Sequence, residues 1–232
     1  RRKFMDSILA QLYPNYLEAL LNYNRILAQR NALLKYFANN HTFDEQTLSV
    51  YNEQLAGSAQ IIYQKRNAFN EKFATLFKEQ YLAICPNASE VVSVNYQTAL
   101  HRQGMHQLLE QSLSKDRLAQ HTTEGIHKDD LHFELNAHLV KRFGSQGQQK
   151  TFLIALKFAQ YEYLKDLCGE KPIVLLDDIF DKLDDQRVQR LVALVKNGTF
   201  GQIFISDTSK ERTELVVKQT GQSYQMISID HA

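Results

Sequence analysis

The feature that most constrains the fold is an apolar run that ends in two adjacent carboxylates. Residues 173–176 are four consecutive aliphatic residues, and Asp177 and Asp178 follow them directly. A run this apolar predicts a strand that is buried on both faces, as in a parallel sheet. Open α/β sheets bind ligands at the carboxyl ends of their strands, where paired acids can hold a hard cation and leave one carboxylate free as a base. The alternative is that Asp177 is only a strand-end acid satisfied by backbone amides.

Beyond residue 150 the chain alternates between helical and strand patterns. Such alternation is typical of an α/β domain with a largely parallel sheet. In chain order, the predicted elements are a helix over 150–168 closed by Gly169, the strand at 173–176, a helix over 185–196, a strand over 202–206, a helix over 209–220 and a final strand over 224–229.

The first 86 residues predict two long helices. Apolar residues recur at spacings of three and four over 4–38 and again over 43–85, with a polar loop between the two runs. Pro14 predicts a break or the first position of a helix, because proline has no backbone N–H to donate. The two patterns together predict an antiparallel helical hairpin, which we call the helical arm.

After Pro86 the hydrophobic period becomes that of a strand. Val92, Val94 and Tyr96 alternate with polar residues, which predicts a strand. Three further elements are predicted before residue 140: a helix over 98–113, a polar, turn-rich segment over 121–130 and a short strand over 131–135.

Two glycines and a serine stand immediately before the helix that is predicted over 150–168. Gly144, Ser145 and Gly147 stand at its start. The first backbone N–H groups of a helix lack intrahelical acceptors and carry a partial positive charge, so such a start can hold an anion, most often phosphate. The alternative is that Ser145 only caps the helix.

Composition disfavours several classes of protein. The formal net charge is +1, which gives no overall preference for nucleic acid or membrane surfaces. The two cysteines and eight scattered histidines form neither a disulfide framework nor a tight metal-ligand spacing, so we expect a reducing compartment and no zinc site. No apolar run approaches the about 20 residues that a membrane span needs, so no membrane partner is expected.

Taken together, these motifs resemble those of the RecF family of ABC-type ATPases. The flanking segments narrow the likeness from any ABC-type or SMC-like ATPase to this family, and the likeness spans nearly the whole chain. The matching stretches are the signature motif at 143–150, the Walker B strand at 173–178, the D-loop at 182–184 and further family segments at 1–6, 29–35 and 122–131.

The resemblance implies an α/β fold, an ABC-type ATPase half domain with a parallel sheet plus a helical arm domain. Residues 1–86 would form the arm, and residues 87–232 the C-terminal part of the ATPase domain. Nothing here matches Gly-x-x-x-x-Gly-Lys-Ser/Thr, the Walker A loop that cradles phosphates. The family carries that loop before the position of Arg1, so we expect a truncated sequence that is inactive alone.

The resemblance also implies that ATP binds between two protomers. Its γ-phosphate, held by the other subunit, would face the signature motif of this chain. The residues expected to contact it in trans are Ser145, Gln146, Gly147 and Gln148.

The resemblance implies different roles for the two acids that follow the apolar run, Asp177 and Asp178. Asp177 would orient Mg²⁺, directly or through water, and Asp178 would be the catalytic base that positions the attacking water. Many ABC ATPases carry Glu at that position, so the shorter Asp implies slow hydrolysis. Asp184, in the D-loop, would help to join the two nucleotide sites of the dimer.

One departure from the pattern concerns the switch position. ABC proteins often place a His just after the strand that corresponds to residues 202–206, whereas this chain has Ser206, Asp207 and Thr208 there. A histidine switch is therefore not expected, and Asp207 or Thr208 becomes the candidate contact with nucleotide or water.

The implied function is recombinational DNA repair and replication, including the SOS response, in the bacterial cytoplasm. An ATP-dependent homodimer with weak ATPase activity would clamp duplex DNA near single-strand gaps and, with recombination mediator proteins, assist recombinase loading. The sequence does not indicate which residues contact DNA. The alternatives are an SMC-like or RecN-like ATPase-domain protein and a non-catalytic interaction module. An ABC transporter subunit is disfavoured because the arm is too long for a compact transporter insert.

Overall fold

The computed structural model describes residues 1–86, 90–177, 185–196 and 198–228. Asp178 and Asp184 lie outside these residues. The helices are α1 Arg2–Leu12, α2 Pro14–Asn40, α3 Glu45–Ile84, α4 Met105–Ala119, α5 Val140–Phe143, α6 Gln146–Cys168, α7 Asp185–Lys196 and α8 Lys210–Thr220. The strands are β1 Val92–Gln97, β2 Asp130–Leu135, β3 His138–Leu139, β4 Val174–Asp177 and β5 Ile203–Ser206.

Contacts within the chain divide it into two compact units. The first contains Arg1–Lys72 and Val94–His132, and the second contains Phe73–Ser93 and Phe133–Ala232. The domain boundary that the sequence places at residue 86 stays a prediction.

The long helices predicted from apolar spacing are present at the N-terminal end. Pro14 stands in the first turn of α2, directly after Tyr13 in extended conformation, so the missing N–H breaks no helical hydrogen bond. The helix predicted from residue 98 begins later, at Met105, because the chain first forms a short 3₁₀ turn at Ala99–His101. In the first unit the fully buried apolar side chains include Met5, Leu9, Tyr16, Tyr23, Leu55, Ile62 and Phe69.

Arg66 of α3 is a buried cation shared by several elements of the first unit. Its guanidinium donates to Asp129 Oδ2 at 2.8 Å, to Asp6 Oδ1 at 2.9 Å and to the Ile126 carbonyl at 3.0 Å. Tyr96 also donates its hydroxyl proton to Asp129. A buried charge is tolerated only when it is paired and hydrogen-bonded, and this one is.

Arg30 of α2 forms the second buried ion pair, with Asp116 of α4. Both side chains are 0% exposed, and Arg30 Nη1 lies 2.8 Å from Asp116 Oδ2 and 2.7 Å from Thr122 Oγ1. Asp116 Oδ1 accepts the backbone N–H and the hydroxyl proton of Thr123. The polar segment predicted over 121–130 is therefore held by contacts with two buried arginines.

The second unit packs the end of α3 against α6. Phe152 of α6 lies with its ring centroid 4.4 Å from that of Phe77, and Tyr163 lies 6.4 Å from Phe73. Gly169, in the left-handed conformation, ends α6 as the sequence predicts.

Strands β4 and β5 confirm the predicted parallel pairing. They run in parallel with Val174 opposite Ile203 and Asp177 opposite Ser206. The prediction that the apolar run is buried on both faces is wrong. Val174 and Leu176 are buried but Leu175 is 74% exposed, because alternate side chains of a strand point to opposite faces and the described residues cover only one of them.

The final strand predicted over 224–229 is wrong for the residues that the structure describes. Residues 223–228 form no strand, and Tyr224, Met226 and Ile227 are exposed. Alternating apolar residues are not sufficient for a strand, since a strand also needs a hydrogen-bonded neighbour. Residue 229 lies outside the described residues.

Replacing Arg30 with Met should lower the free energy of unfolding by about 3 to 5 kcal/mol, because Asp116 would stay buried without its cation. Urea unfolding of the chain measures this loss. The matched control is Arg25→Met on the same helix, since Arg25 is exposed and bonds only Asn22 among the described contacts. A loss no larger than that of the control would contradict the assigned role of the pair.

A second prediction concerns His127, whose Nε2–H donates to the Thr122 carbonyl at 3.1 Å while Nδ1 accepts from the Tyr23 hydroxyl at 2.9 Å. Burial lowers the pKa of His127, with Lys128 and Arg2 acting in the same direction. The unfolded chain therefore binds this proton more readily, and stability should fall as pH falls from about 7.5 to about 5.5.

Thermal unfolding across that pH range measures the effect. His127→Gln should flatten the acid loss, because Gln does not titrate. His106→Gln is the control, since hydrogen bonding to Glu53 raises the pKa of this exposed histidine and its removal leaves the acid loss in place. An acid loss unchanged in His127→Gln would show that other groups cause it.

Candidate nucleotide site

The start of α6 is built by a reciprocal cap. Ser145 is extended, and its Oγ accepts the backbone N–H of Gln148 at 3.2 Å. In return Gln148 Oε1 accepts the backbone N–H of Ser145 at 2.7 Å, which completes a capping box. Gly144 precedes it where a Cβ would lie 2.8 Å from the Val140 carbonyl oxygen, so only glycine fits.

The cap leaves part of the first turn of α6 free. Gln149 donates its backbone N–H to the Ser145 carbonyl, and Gln148 donates to Ser145 Oγ. Among the described residues, the amides of Gln146 and Gly147 have no acceptor. Since α6 is 23 residues long and Ser145 and Gln146 are exposed, its N-terminus can receive an anion from solvent or from another molecule.

The side chain of Gln148 is occupied within the chain. Its Nε2 donates to Glu90 Oε1 at 2.6 Å, while its Oε1 holds the Ser145 amide. Sequence reasoning did not find Glu90, which lies 58 positions away from Gln148 and belongs to no recognised motif. No local pattern could have indicated it.

A second group of predicted residues lies at the carboxyl ends of β4 and β5. Because the strands are parallel, Asp177 stands beside Ser206, whose hydroxyl donates to Asp177 Oδ1. Asp207 accepts the backbone N–H of Ser209 at 2.8 Å, at the start of α8, and Thr208 is exposed. The structure thus brings Asp177, Asp207 and Thr208 to one edge of the sheet.

The two groups are separate in their hydrogen bonding. No bond joins Asp177 to residues 145–148 within the part of the chain that the structure describes. Outside the gap at 178–184 and the other undescribed positions, no cluster of three or more His, Cys, Asp or Glu residues could hold a metal ion. The exposed Asp177 carboxylate and the Ser206 hydroxyl are nevertheless oxygen donors of the kind that Mg²⁺ takes.

The curated proteins that this chain resembles in sequence, as given below, belong to one family. The chain is 52% identical over 229 residues to the DNA replication and repair protein RecF of Flavobacterium johnsoniae, covering 99% of this chain and 64% of the relative. It is 42% identical to RecF of Cytophaga hutchinsonii, covering 99% of this chain and 61% of that protein. No protein-family model matches.

A solved structure supports the same relationship. The recombination mediator protein RecF-ATP of the RecFOR pathway superposes with a TM-score of 0.78 at 28% identity, over 91% of this chain and 58% of that one. None of the described helices has the length and apolarity that a membrane span requires.

The class of protein is an ABC-type ATPase fold with a helical arm. It is defined by the parallel pair of β4 and β5 with Asp177 at the end of β4, by the capped Ser-Gly start of α6 and by the long helices. Within that class, the chain belongs to the RecF family. It spans about three fifths of the length of the curated relatives that it matches, 64% and 61% for the two named above.

Ser145→Ala should destabilise the chain by about 1 kcal/mol, because the Gln148 amide loses its acceptor. Ser145→Thr keeps a hydroxyl at the cap and should retain most of the stability. Urea unfolding of both variants tests the cap, and equal stability of Ser145→Ala and the unaltered chain would contradict it.

Proposed function

We propose that this chain acts in DNA replication and recombinational repair as part of an ATP-dependent switch. ATP joins two protomers, and the homodimer clamps duplex DNA beside single-strand gaps in the bacterial cytoplasm, where it assists recombinase loading with recombination mediator proteins. The observation that carries the proposal is the exposed, capped N-terminus of α6, with free amides at Gln146 and Gly147, in a chain that is 52% identical to a RecF protein.

The signature motif receives the γ-phosphate held by the partner protomer. Ser145, Gln146 and Gly147 present the helix N-terminus to it, and phosphate is the anion that such a terminus suits best. Gln148 belongs to the same motif, and its side chain contributes by closing the cap. Support comes from the free first-turn amides and from the related RecF structure, which is a RecF-ATP structure.

The acids at the sheet edge complete the chemistry. Asp177 helps to hold Mg²⁺, which when bound neutralises charge on the phosphates. Asp178 acts as the base that orients the attacking water, and Asp184 joins the two sites across the dimer. Asp207 or Thr208 senses the nucleotide from the end of β5. Support for this edge is the side-by-side placement of Asp177 and Ser206.

The test uses a full-length RecF that carries these 232 residues. Sedimentation should show a monomer without nucleotide and a dimer with ATP and Mg²⁺, and the ATP form should bind gapped duplex DNA more tightly. Asp178→Asn should slow turnover and prolong the ATP-bound dimer, because the water loses its base.

The control is Asp166→Asn, which changes an acid of α6 far along the helix from its capped start. A dimer that forms equally well without ATP would overturn the switch and favour the non-catalytic interaction module. Unchanged turnover in Asp178→Asn would remove Asp178 from the role of base.

A further inference from the structure

A continuous run of hydrogen bonds links the start of α6 to the last turn of α3. Tyr81 donates its hydroxyl proton to Glu90 Oε2, and Gln148 Nε2 donates to Glu90 Oε1 at 2.6 Å. Gln148 Oε1 then accepts the backbone N–H of Ser145 at 2.7 Å. All four residues belong to the second unit, so the run lies within one compact body.

The chemistry of the Gln148 amide makes Glu90 a specific partner. The amide oxygen is fixed by the Ser145 N–H, so the NH₂ group must point away from the cap and needs an acceptor. Glu90 supplies a carboxylate oxygen, and a charged acceptor makes a stronger hydrogen bond than a neutral one. The orientation of Gln148, and with it the capping box, therefore depends on a residue outside the motif.

The other end of the run is rigid. Tyr81 is 0% exposed, and its ring centroid lies 6.1 Å from that of Phe77 and 6.1 Å from that of Phe152. Glu90 itself is only partly buried. Both oxygens of Glu90 are engaged, Oε2 by this anchored hydroxyl and Oε1 by Gln148, so the carboxylate is held in one orientation.

We propose that Glu90 is a positioning residue of the signature motif, which acts through Gln148. By holding the Gln148 amide, Glu90 keeps the capping box closed and the free amides of Gln146 and Gly147 aimed outward, ready for the partner's γ-phosphate. This inference rests on the proposed function, because it assigns Glu90 to ATP-dependent dimerisation. It also connects the signature motif to the last turn of α3, so a displacement of that turn alters the phosphate-binding end of α6.

The experiment compares variants of full-length RecF carrying this sequence. Glu90→Ala should weaken ATP-dependent dimerisation about tenfold, the size expected for loss of a hydrogen bond to a charged group. ATP affinity of the monomer should stay unchanged, because the motif acts on the nucleotide of the partner. Glu90→Gln keeps an acceptor for Gln148 and a partner for Tyr81, and should restore dimerisation to within about threefold.

The matched control is Glu162→Ala, which removes another partly buried carboxylate of the same unit, one that pairs with Lys165 near the far end of α6. It should dimerise like the unaltered protein. Thermal unfolding without nucleotide is measured for every variant, so that a general loss of stability is seen directly.

The outcomes distinguish a failure of the proposed function from a failure of the role assigned to Glu90. If the unaltered protein forms no ATP-dependent dimer, the proposed function itself fails. If it does form one and Glu90→Ala dimerises equally well, the positioning role is overturned. The role is also overturned if Glu90→Gln fails to rescue, or if Glu90→Ala loses monomer ATP affinity and thermal stability together with dimerisation.

Discussion

The interaction on which the first unit depends is the burial of Arg66. One guanidinium joins Asp6 of α1, Tyr16 of α2 and Asp129, which directly precedes β2, while Arg66 itself belongs to α3. Removing the Arg66 guanidinium would leave the buried Asp129 carboxylate without its cation, which is far more costly than breaking a surface ion pair. The arrangement therefore tolerates few alternatives, and this explains how a polar segment such as 122–129 takes one conformation.

Arg30 and His127 are also polar side chains that are held in the interior by hydrogen-bond partners. Arg30 bonds Asp116 and Thr122, and His127 bonds Thr122 and Tyr23. The two polar networks therefore meet at Thr122 and together hold one segment. Polar groups bury successfully here because almost every donor finds an acceptor. In the second unit, aromatic packing of Phe77 and Phe152 sets the position of α6, and the short run through Glu90 sets the details of its first turn.

Much of the fold and part of the site followed from local signals. The helices at 2–12, 14–40 and 45–84 matched apolar spacing, and Ser145 and Gly169 marked the ends of α6 correctly. Such signals are reliable because helix periodicity and capping depend on residues only a few positions apart. The placement of Asp177 at the carboxyl end of a parallel strand was also predicted and is observed.

Some features could not be predicted in this way, since they depend on what lies opposite a residue in space. The apolar run at 173–176 gave no indication that Leu175 is exposed while Leu176 is buried. The alternation after residue 223 predicted a strand that residues 223–228 do not form. By itself, the sequence determined the family, the helices and their caps, and the acids at the strand end, because these features depend on short-range residue spacing and on local motifs. Only the tertiary structure decided that Arg30 and Arg66 are buried and that Glu90 holds Gln148. The partners of these residues lie tens of positions away in the sequence and are brought into contact by packing, so no local pattern predicts the contacts.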